Sequence, residues 1–467
     1  MKVLKLLFLF AIILFFQVGK SQNDTSVFKF VEYMNLVKSN HPIAMVADLA
    51  VEKGQANVRS SRGSFDPILF QDMNNKQFND QEYYRLSRGG LKVPTWFGMD
   101  FEGGLQQSRG DYLNPQNNLP NDGLLFAGVT VPIGQGLFID KRRADLKTAK
   151  LYSTMTVLER RLILNDLLLE AGKAYWSWFT DYNNVTIYED ALELARERFN
   201  AVKSGVEYGD RPSMDTLEAG IQVQTRLVSL QEARLKLRNS MAMLSVYLWQ
   251  DGYIPLELNS GTIPEEKNSL EQRSLNVSLQ KDSLIARHPK MQQTRLDIDR
   301  LNIEQKLKKE QLKPVLNVKY NVLMTNNQFA INQNQLDNYV FGLGFKMPIF
   351  LRKERGELKL ARIKIQEANL KLVPQQANLM FKFQSALNEW EVTESQIQTT
   401  KKMVADYFQL LQGERKLFEA GESSLFLVNS REVGYIAAQV KLAELMGKNQ
   451  EALLKTDYAL GRLNEVM

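Results

Sequence analysis

The stretch FGLGFKMPIF, Phe341 to Phe350, sets Phe341, Leu343, Phe345 and Met347 on one face of an extended chain and Gly342, Gly344 and Lys346 on the other. It then meets Pro348, and a charged segment of helical pattern follows, RKERGELKLARIKIQEANLKL. A second passage far upstream has the same order: AGVTVPIGQGLFIDKRRADLKTAKL, Ala127 to Leu151. Strand, proline and basic-flanked helix therefore occur twice in one chain.

Other landmarks keep step with these two passages. SNHPIA (Ser39 to Ala44) is echoed by ARHPKM (Ala286 to Met291), and in each copy the next proline, Pro67 or Pro314, lies 25 positions on and opens a strand-like run. The runs end at Pro132 and Pro348, after 65 and 34 positions, so the first copy carries 31 extra residues. Long helical patterns lead to Gly209 and Gly421, each followed by another helix. The reading is a tandem duplication: repeat 1 over 22–250, a linker over 251–268 and repeat 2 over 269–467. Repeat 1 is expected to hold a first helix near Val27–Arg62, a β-hairpin at about 66–133, a long helix over 136–208 and a helix over 213–249. Repeat 2 is expected to hold a helix from Ser269 to Gln311, a β-hairpin at about 314–348, a long helix over 352–420 and a helix over 423–463.

Composition bounds the class. The chain of 467 residues is 44% hydrophobic and 24% charged, which fits neither a disordered protein nor a bundle of membrane helices. Residues 1–21 read as a secretory signal, with Lys2 and Lys5 before the apolar run Leu6–Phe16 and small residues at Gly19 and Ser21. Removing Lys2, Lys5 and Lys20 lowers the net charge from +6 to +3, so charge gives no argument for nucleic acid. The absence of cysteine excludes disulfides, thiol chemistry and a lipid-modified N-terminal cysteine. No later run of about 18 apolar residues suggests a transmembrane helix. A membrane protein built on this chain would be a β-barrel.

The helices are long. Apolar residues at 3-4 spacing run through Leu164, Leu168, Ala171, Tyr175, Trp178, Tyr182 and Val185, then Tyr188, Leu192, Ala195, Phe199 and Val202, with Leu358, Ala361, Ile365, Ala368 and Leu372 in the second copy. A helix of roughly 70 residues is about 105 Å long. Pro374 interrupts the second one, and a kink is expected there. The strands alternate cleanly, Phe97, Met99, Phe101 and Leu105 against Gly98, Asp100, Glu102 and Gln106, with Asp100, Glu102, Lys319 and Lys346 on the minority face. That pattern fits strands apolar toward lipid and polar toward a lumen. Four such strands cannot close a barrel, since bacterial barrels begin at about 8 strands. The barrel must then be shared between chains, two giving 8 strands and three giving 12.

This arrangement resembles the TolC-like outer-membrane efflux family over nearly the whole mature chain. The resemblance is carried by the duplication, by NHP and RHP, by FDP, by GVTVPIGQG and GFKMPIF at the barrel-helix junctions, and by SGVEYGDRPSMDTLEA and FEAGESSLFLVNS at the helical turns. It implies an α+β fold in which long coiled-coil helices form a periplasmic α-barrel of 12 helices in a homotrimer. Two β-hairpins per chain would contribute to a shared 12-stranded barrel in outer-membrane lipid. It implies a passive duct whose tip docks a periplasmic adaptor (membrane fusion) protein linked to an inner-membrane transporter, in efflux or type I secretion. On this view Pro132 and Pro348 mark the changeover from strand to helix. The charged residues just after them, Asp140 to Arg143 and Arg352 to Arg355, lie at the inner lipid surface or on a solvated helix face.

In that family the tunnel narrows just after the helical turn. The matching positions are Asp215 and Glu218 in copy one, one helical turn apart on one face, and Leu427 and Ser430 in copy two. Carboxylate rings there select cations; helix-start carboxylates stabilised by the dipole are the plain alternative. The tip that meets the adaptor corresponds to Gly205, Gly209, Asp210 and Arg211 with Gly421, Glu422 and Ser423. No catalytic constellation, cofactor loop or metal set stands out, so an enzyme is not expected. The two histidines, His41 and His288, are both read as turn residues before proline, with a metal pair as the sharper alternative. A structural periplasmic coiled-coil protein with a small β domain is the competing reading of the whole. The 31 extra residues either extend the barrel wall or form an external loop.

Overall fold

The strands of repeat 1 come as four in succession: β2 (Ile68–Phe78), β3 (Gln81–Pro94), β4 (Asp100–Arg109) and β5 (Leu124–Pro132). They follow a short strand β1 (Val27–Phe28) and helices α1 (Phe30–Asn40) and α2 (Pro42–Arg62), and they lead into α3 (Lys141–Glu207) and α4 (Ser213–Ser245). Short strands β6 (Trp249–Gln250), β7 (Ile254–Pro255) and β8 (Ile263–Pro264) precede repeat 2. Repeat 2 contains α5 (Pro289–Glu310), β9 (Val315–Thr325), β10 (Tyr339–Lys346), α6 (Arg352–Glu419), α7 (Leu425–Ala459) and a final turn α8 (Leu463–Val466). The computed structural model describes residues 26–251, 253–259, 261–266, 285–325 and 337–467. The signal segment 1–21 and the first part, 269–284, of the helix expected from Ser269 to Gln311 lie outside them.

Six strands form one antiparallel sheet in the order β10-β9-β5-β4-β3-β2. The combination of long helices with one sheet is as expected, but the strand number is not: repeat 1 supplies four strands where one hairpin was anticipated. The 31 extra residues are accounted for by β2 and β3, which pair into the sheet beside β4. The turn between β3 and β4 is tight, with Thr95 N–H donating to Met99 O at 2.9 Å and Gly98 at φ 98°.

Helix boundaries follow local chemistry. The first helix breaks at His41, which is extended because the residue before a proline is pushed out of the α region. Helix α3 starts at Lys141, five residues later than anticipated, because Gly136 has φ 94° and Asp140 caps the helix by accepting from Arg143 N–H at 2.8 Å. In repeat 2 the same bend falls on Leu351 at φ 50°. Helical residues continue on both sides of Pro374, so the proline removes one ladder bond without ending α6. Next to it, Gln375 bonds to Thr294 at 3.0 Å and to Lys290 O at 3.2 Å, tying α6 to α5 there.

The described residues divide into two units, one made of those within 1–45, 164–279 and 381–467, the other of those within 46–163 and 280–380. The first is helical, and the stripe anticipated on α3 is its core, with Leu168, Tyr175 and Trp178 fully buried. Tyr33 O–H donates to Ala171 O at 3.2 Å and Tyr175 O–H to Phe28 O at 2.7 Å; burial pushes both phenol pKa values far up, so both stay neutral donors. The expected linker is partly structured, since β6 pairs with β7 and β8 runs parallel to β1. The second unit holds the sheet together with α2, α5 and the adjoining parts of α3 and α6.

Candidate channel surfaces

Register assigns each strand residue to one of two faces, since directly opposed residues share a face. One face carries Arg88 and Lys92 of β3, Asp100 and Glu102 of β4, Lys319 and Asn321 of β9 and Lys346 of β10. All four residues expected on a lumen face, Asp100, Glu102, Lys319 and Lys346, are therefore on one side of the sheet. Glu102 is the hub: Arg88 reaches it at 3.0 Å, Asn321 donates to it at 3.1 Å and Lys319 pairs with it. Asp100 pairs with Lys92 at 3.3 Å and with Arg142 of α3 at 2.9 Å. The Arg88 guanidinium lies 4.6 Å over the ring of Phe126, which is 2% exposed. Facing glycines Gly90 and Gly104 keep the backbones close, since a Cβ on Gly104 would meet the Gly89 carbonyl.

The opposite face is uncovered and apolar over much of its area: Leu69, Phe101, Phe341, Leu343 and Phe345 are 84, 44, 58, 61 and 68% exposed, while Gln71, Arg85, Gln107 and Arg109 of β2, β3 and β4 share it. Exposed Trp96 and Phe97 lie in the β3–β4 turn, and stacked Tyr83 and Tyr112 at the other end of the sheet.

The junctions differ from expectation in one respect. Pairing with β9 continues past Pro132, with Ile133 N–H donating to Leu316 O at 2.8 Å and Gln135 N–H to Pro314 O at 2.7 Å. Because Ile133 and Leu316 are the hydrogen-bonded pair, the missing N–H of Pro132 faces the β4 side, where pairing has ended at Thr130. Proline there silences an unused position, and the turn falls at Gly136. The charged residues that follow are joints: Arg142 ties α3 to β4, and Arg143 holds the carbonyls of Gly136 and Leu137. At the second junction β10 does end before Pro348.

The two helical turns share one construction. Asp210 N–H donates to Gly205 O at 2.9 Å and Gly209 N–H to Val206 O at 3.1 Å; Glu422 N–H donates to Leu417 O at 2.8 Å and Gly421 N–H to Phe418 O at 3.2 Å. These are Schellman closures, and they require φ of 80° at Gly209 and 77° at Gly421. Ser424 caps α7 through Leu427 N–H, and Ser423 O–H donates to Glu414 at 2.5 Å. The Arg211 guanidinium stacks 4.0 Å over Phe418, and Val202, Ala219 and Leu425 form a small shared core, so the turns of the two repeats pack together.

Among the sequence-derived constriction residues, Asp215 lies 3.9 Å from Arg211, and Glu218 accepts from Asn429 at 3.0 Å. Leu427 and Ser430 are exposed on α7. Sequence reasoning missed what lies beneath them. Glu432, 3% exposed, pairs with Arg198 of α3 and lies 3.8 Å from Arg226 of α4 and 3.9 Å from Arg415 of α6. Four helices meet on one carboxylate, drawn from segments too far apart for any local signal.

The histidines are turn residues: Nδ1 of His41 accepts from Ile43 N–H and Nδ1 of His288 from Lys290 N–H, both at 3.1 Å. Among the described residues no acidic, His or Cys cluster suited to a metal ion is present, and no helix is long and apolar enough to cross a membrane.

Residues 281–462 match the family model described as outer membrane efflux protein. No curated protein sequence matches the chain. Solved structures that are similar include the open state of the Neisseria gonorrhoeae MtrE outer membrane channel, at 14% identity and TM-score 0.68, covering 92% of this chain and 88% of that one. The Campylobacter jejuni CmeC outer membrane channel matches at 13% identity and TM-score 0.64, covering 92% and 85%. The outer membrane protein VceC of Vibrio cholerae matches at 14% identity and TM-score 0.63, covering 92% and 95%. The second repeat thus matches the outer membrane efflux proteins in sequence, and nearly the whole chain has the TolC-like fold of the outer-membrane channels.

Proposed function

We propose that this chain is one subunit of a homotrimeric duct in the outer membrane, the passive exit of an efflux or type I secretion system. An inner-membrane transporter supplies the energy, through a periplasmic adaptor that docks on the helical turns around Gly205–Arg211 and Gly421–Ser423. The observation that carries this reading is the sheet: one face ion-paired, the other largely apolar and uncovered, and both edges unpaired among the described residues. Such a sheet suits a barrel wall between water and lipid, and its edges call for neighbouring chains. The same two features weigh against the periplasmic coiled-coil reading, which leaves the apolar face in water.

Helix α6 adds support for oligomerisation. Leu360, Ile363, Leu370 and Val373 recur at 3-4 and heptad spacing, and all are exposed, at 59, 46, 72 and 67%. At the turns, exposed Tyr208, Met214, Leu217 and Phe426 offer apolar contact area. Asp215, Glu218, Leu427 and Ser430 line the narrow part of the passage in this reading. Electron microscopy of the detergent-extracted protein, with membrane fractionation, tests it. Threefold tubes from the outer-membrane fraction are expected; monomers in the soluble fraction would overturn the proposal.

A further inference from the structure

The sheet's edges, β2 and β10, are 11 and 8 residues long and have no further partner strand among the described residues. Six strands alternating in direction leave edges that run opposite ways, so β10 of one copy can pair antiparallel with β2 of the next. We infer that copies of the chain join by this β10–β2 pairing and that all six strands, including β2 and β3, are barrel wall. Resting on the trimeric reading above, this gives 18 strands rather than 12.

Face parity restricts the register. Ile68, Phe70 and Asp72 share the ion-paired face with Gly342, Gly344 and Lys346, all even-numbered. Only even-to-even registers set Leu69 and Met73 beside Phe341 and Phe345 on the apolar face. Among these, Ile68 opposite Lys346 levels the two ends beside Pro67 and Pro348 and engages the whole of β10.

Closure geometry tests that register independently. Following opposed residues from Ile68 through Lys92, Glu102, Gly128 and Asn321 leads to Val340. In the proposed register Val340 faces Asn74 of the neighbouring copy, a shift from Ile68 of six residues along β2. Three copies accumulate a shear of about 18 over 18 strands; at about 3.3 Å per residue and about 4.8 Å between strands, the tilt is about 35°. Membrane barrels tilt by about 35–45°. The barrel is then about 34 Å across its backbone, against about 23 Å for 12 strands, wide enough for a water-filled lumen behind the Glu102 lining.

The chain has no cysteine, so introduced thiols report alone. L69C is combined in turn with F345C, L343C and F341C in the full-length protein, oxidised in membranes, and read on a denaturing gel. L69C/F345C is expected to link chains up to trimers. L69C/G344C, on opposite faces, is expected to stay unlinked, although an added side chain at Gly344 meets no other group. No linked product from any of the three odd-numbered pairs overturns the edge pairing. Electron microscopy of the unmodified protein then counts strands in the barrel cross-section. Eighteen in a threefold particle is the expected result. Twelve in a threefold particle removes β2 and β3 from the wall and leaves the duct reading standing. Twofold particles or monomers overturn the trimeric reading itself.

Discussion

Glu432, itself 3% exposed, holds a carboxylate among three guanidinium groups, those of Arg198 and Arg226 nearly buried and that of Arg415 a quarter exposed. Removing one member of a buried charge set leaves the others without compensation, a loss of roughly 3 kcal/mol or more. Glu432→Gln is therefore expected to lower the thermal midpoint of the helical signal in circular dichroism well below that of an exposed control such as Glu391→Gln. His41 makes a pH prediction. Burial lowers its pKa, so the folded state holds the neutral ring while the unfolded state protonates near 6.5. Its share of stability is full above about 6.5 and is lost as pH falls through the lowered folded value. Between pH 7.5 and 5, His41→Asn, which keeps an acceptor for Ile43 N–H, is expected to lose less thermal stability than the parent protein. At this scale the sequence was only partly legible. The placing of His41, Gly209 and Gly421 followed from proline and glycine rules that act within a few residues. Glu432, Arg198, Arg226 and Arg415 lie on four helices, and only the packed structure shows that they meet.

Elements were easier to read where punctuation is strong. The long helices were legible because their apolar stripe persists for many turns, and Gly172 in α3 and Pro374 and Gly413 in α6 do not end it. The β2–β3 hairpin was not, for a physical reason: the outward positions of β2 read Leu69, Gln71, Met73, Asn75, and Gly89 and Gly90 dilute β3, so alternation is blurred. Gln71 and Ser87 instead satisfy each other at 2.7 Å on that face. Two changes test the element boundaries. Gly421→Ala forces a Cβ into φ 77° and is expected to cost about 1 kcal/mol, seen as a lower midpoint in a thermal melt. Pro374→Ala restores an N–H inside α6 and is expected to raise the melting temperature, by an amount equivalent to as much as ~3 kcal/mol.

For the whole molecule, the duct reading makes the Glu102 cluster the main fixed charge of the passage. Glu102→Gln leaves Arg88 and Lys319 without their anion. In planar bilayers under a salt gradient, the reversal potential is expected to shift toward anion preference; an unchanged value would place this face away from the ion path. The sheet also dictates an order of events. Strands β2 to β5 follow one another within repeat 1, the longest connection being residues 110–123, and can pair as soon as repeat 1 is available. The seam to β9 joins residues 185 to 201 positions apart. Pairings that distant form slowly, because the intervening chain must first be confined. On the duct reading, β5 presents a bare, sticky border while the second half is still being delivered across the inner membrane. The newborn polypeptide thus passes through a vulnerable interval set by its own topology, in which a periplasmic holdase shielding that border should decide the yield of mature protein.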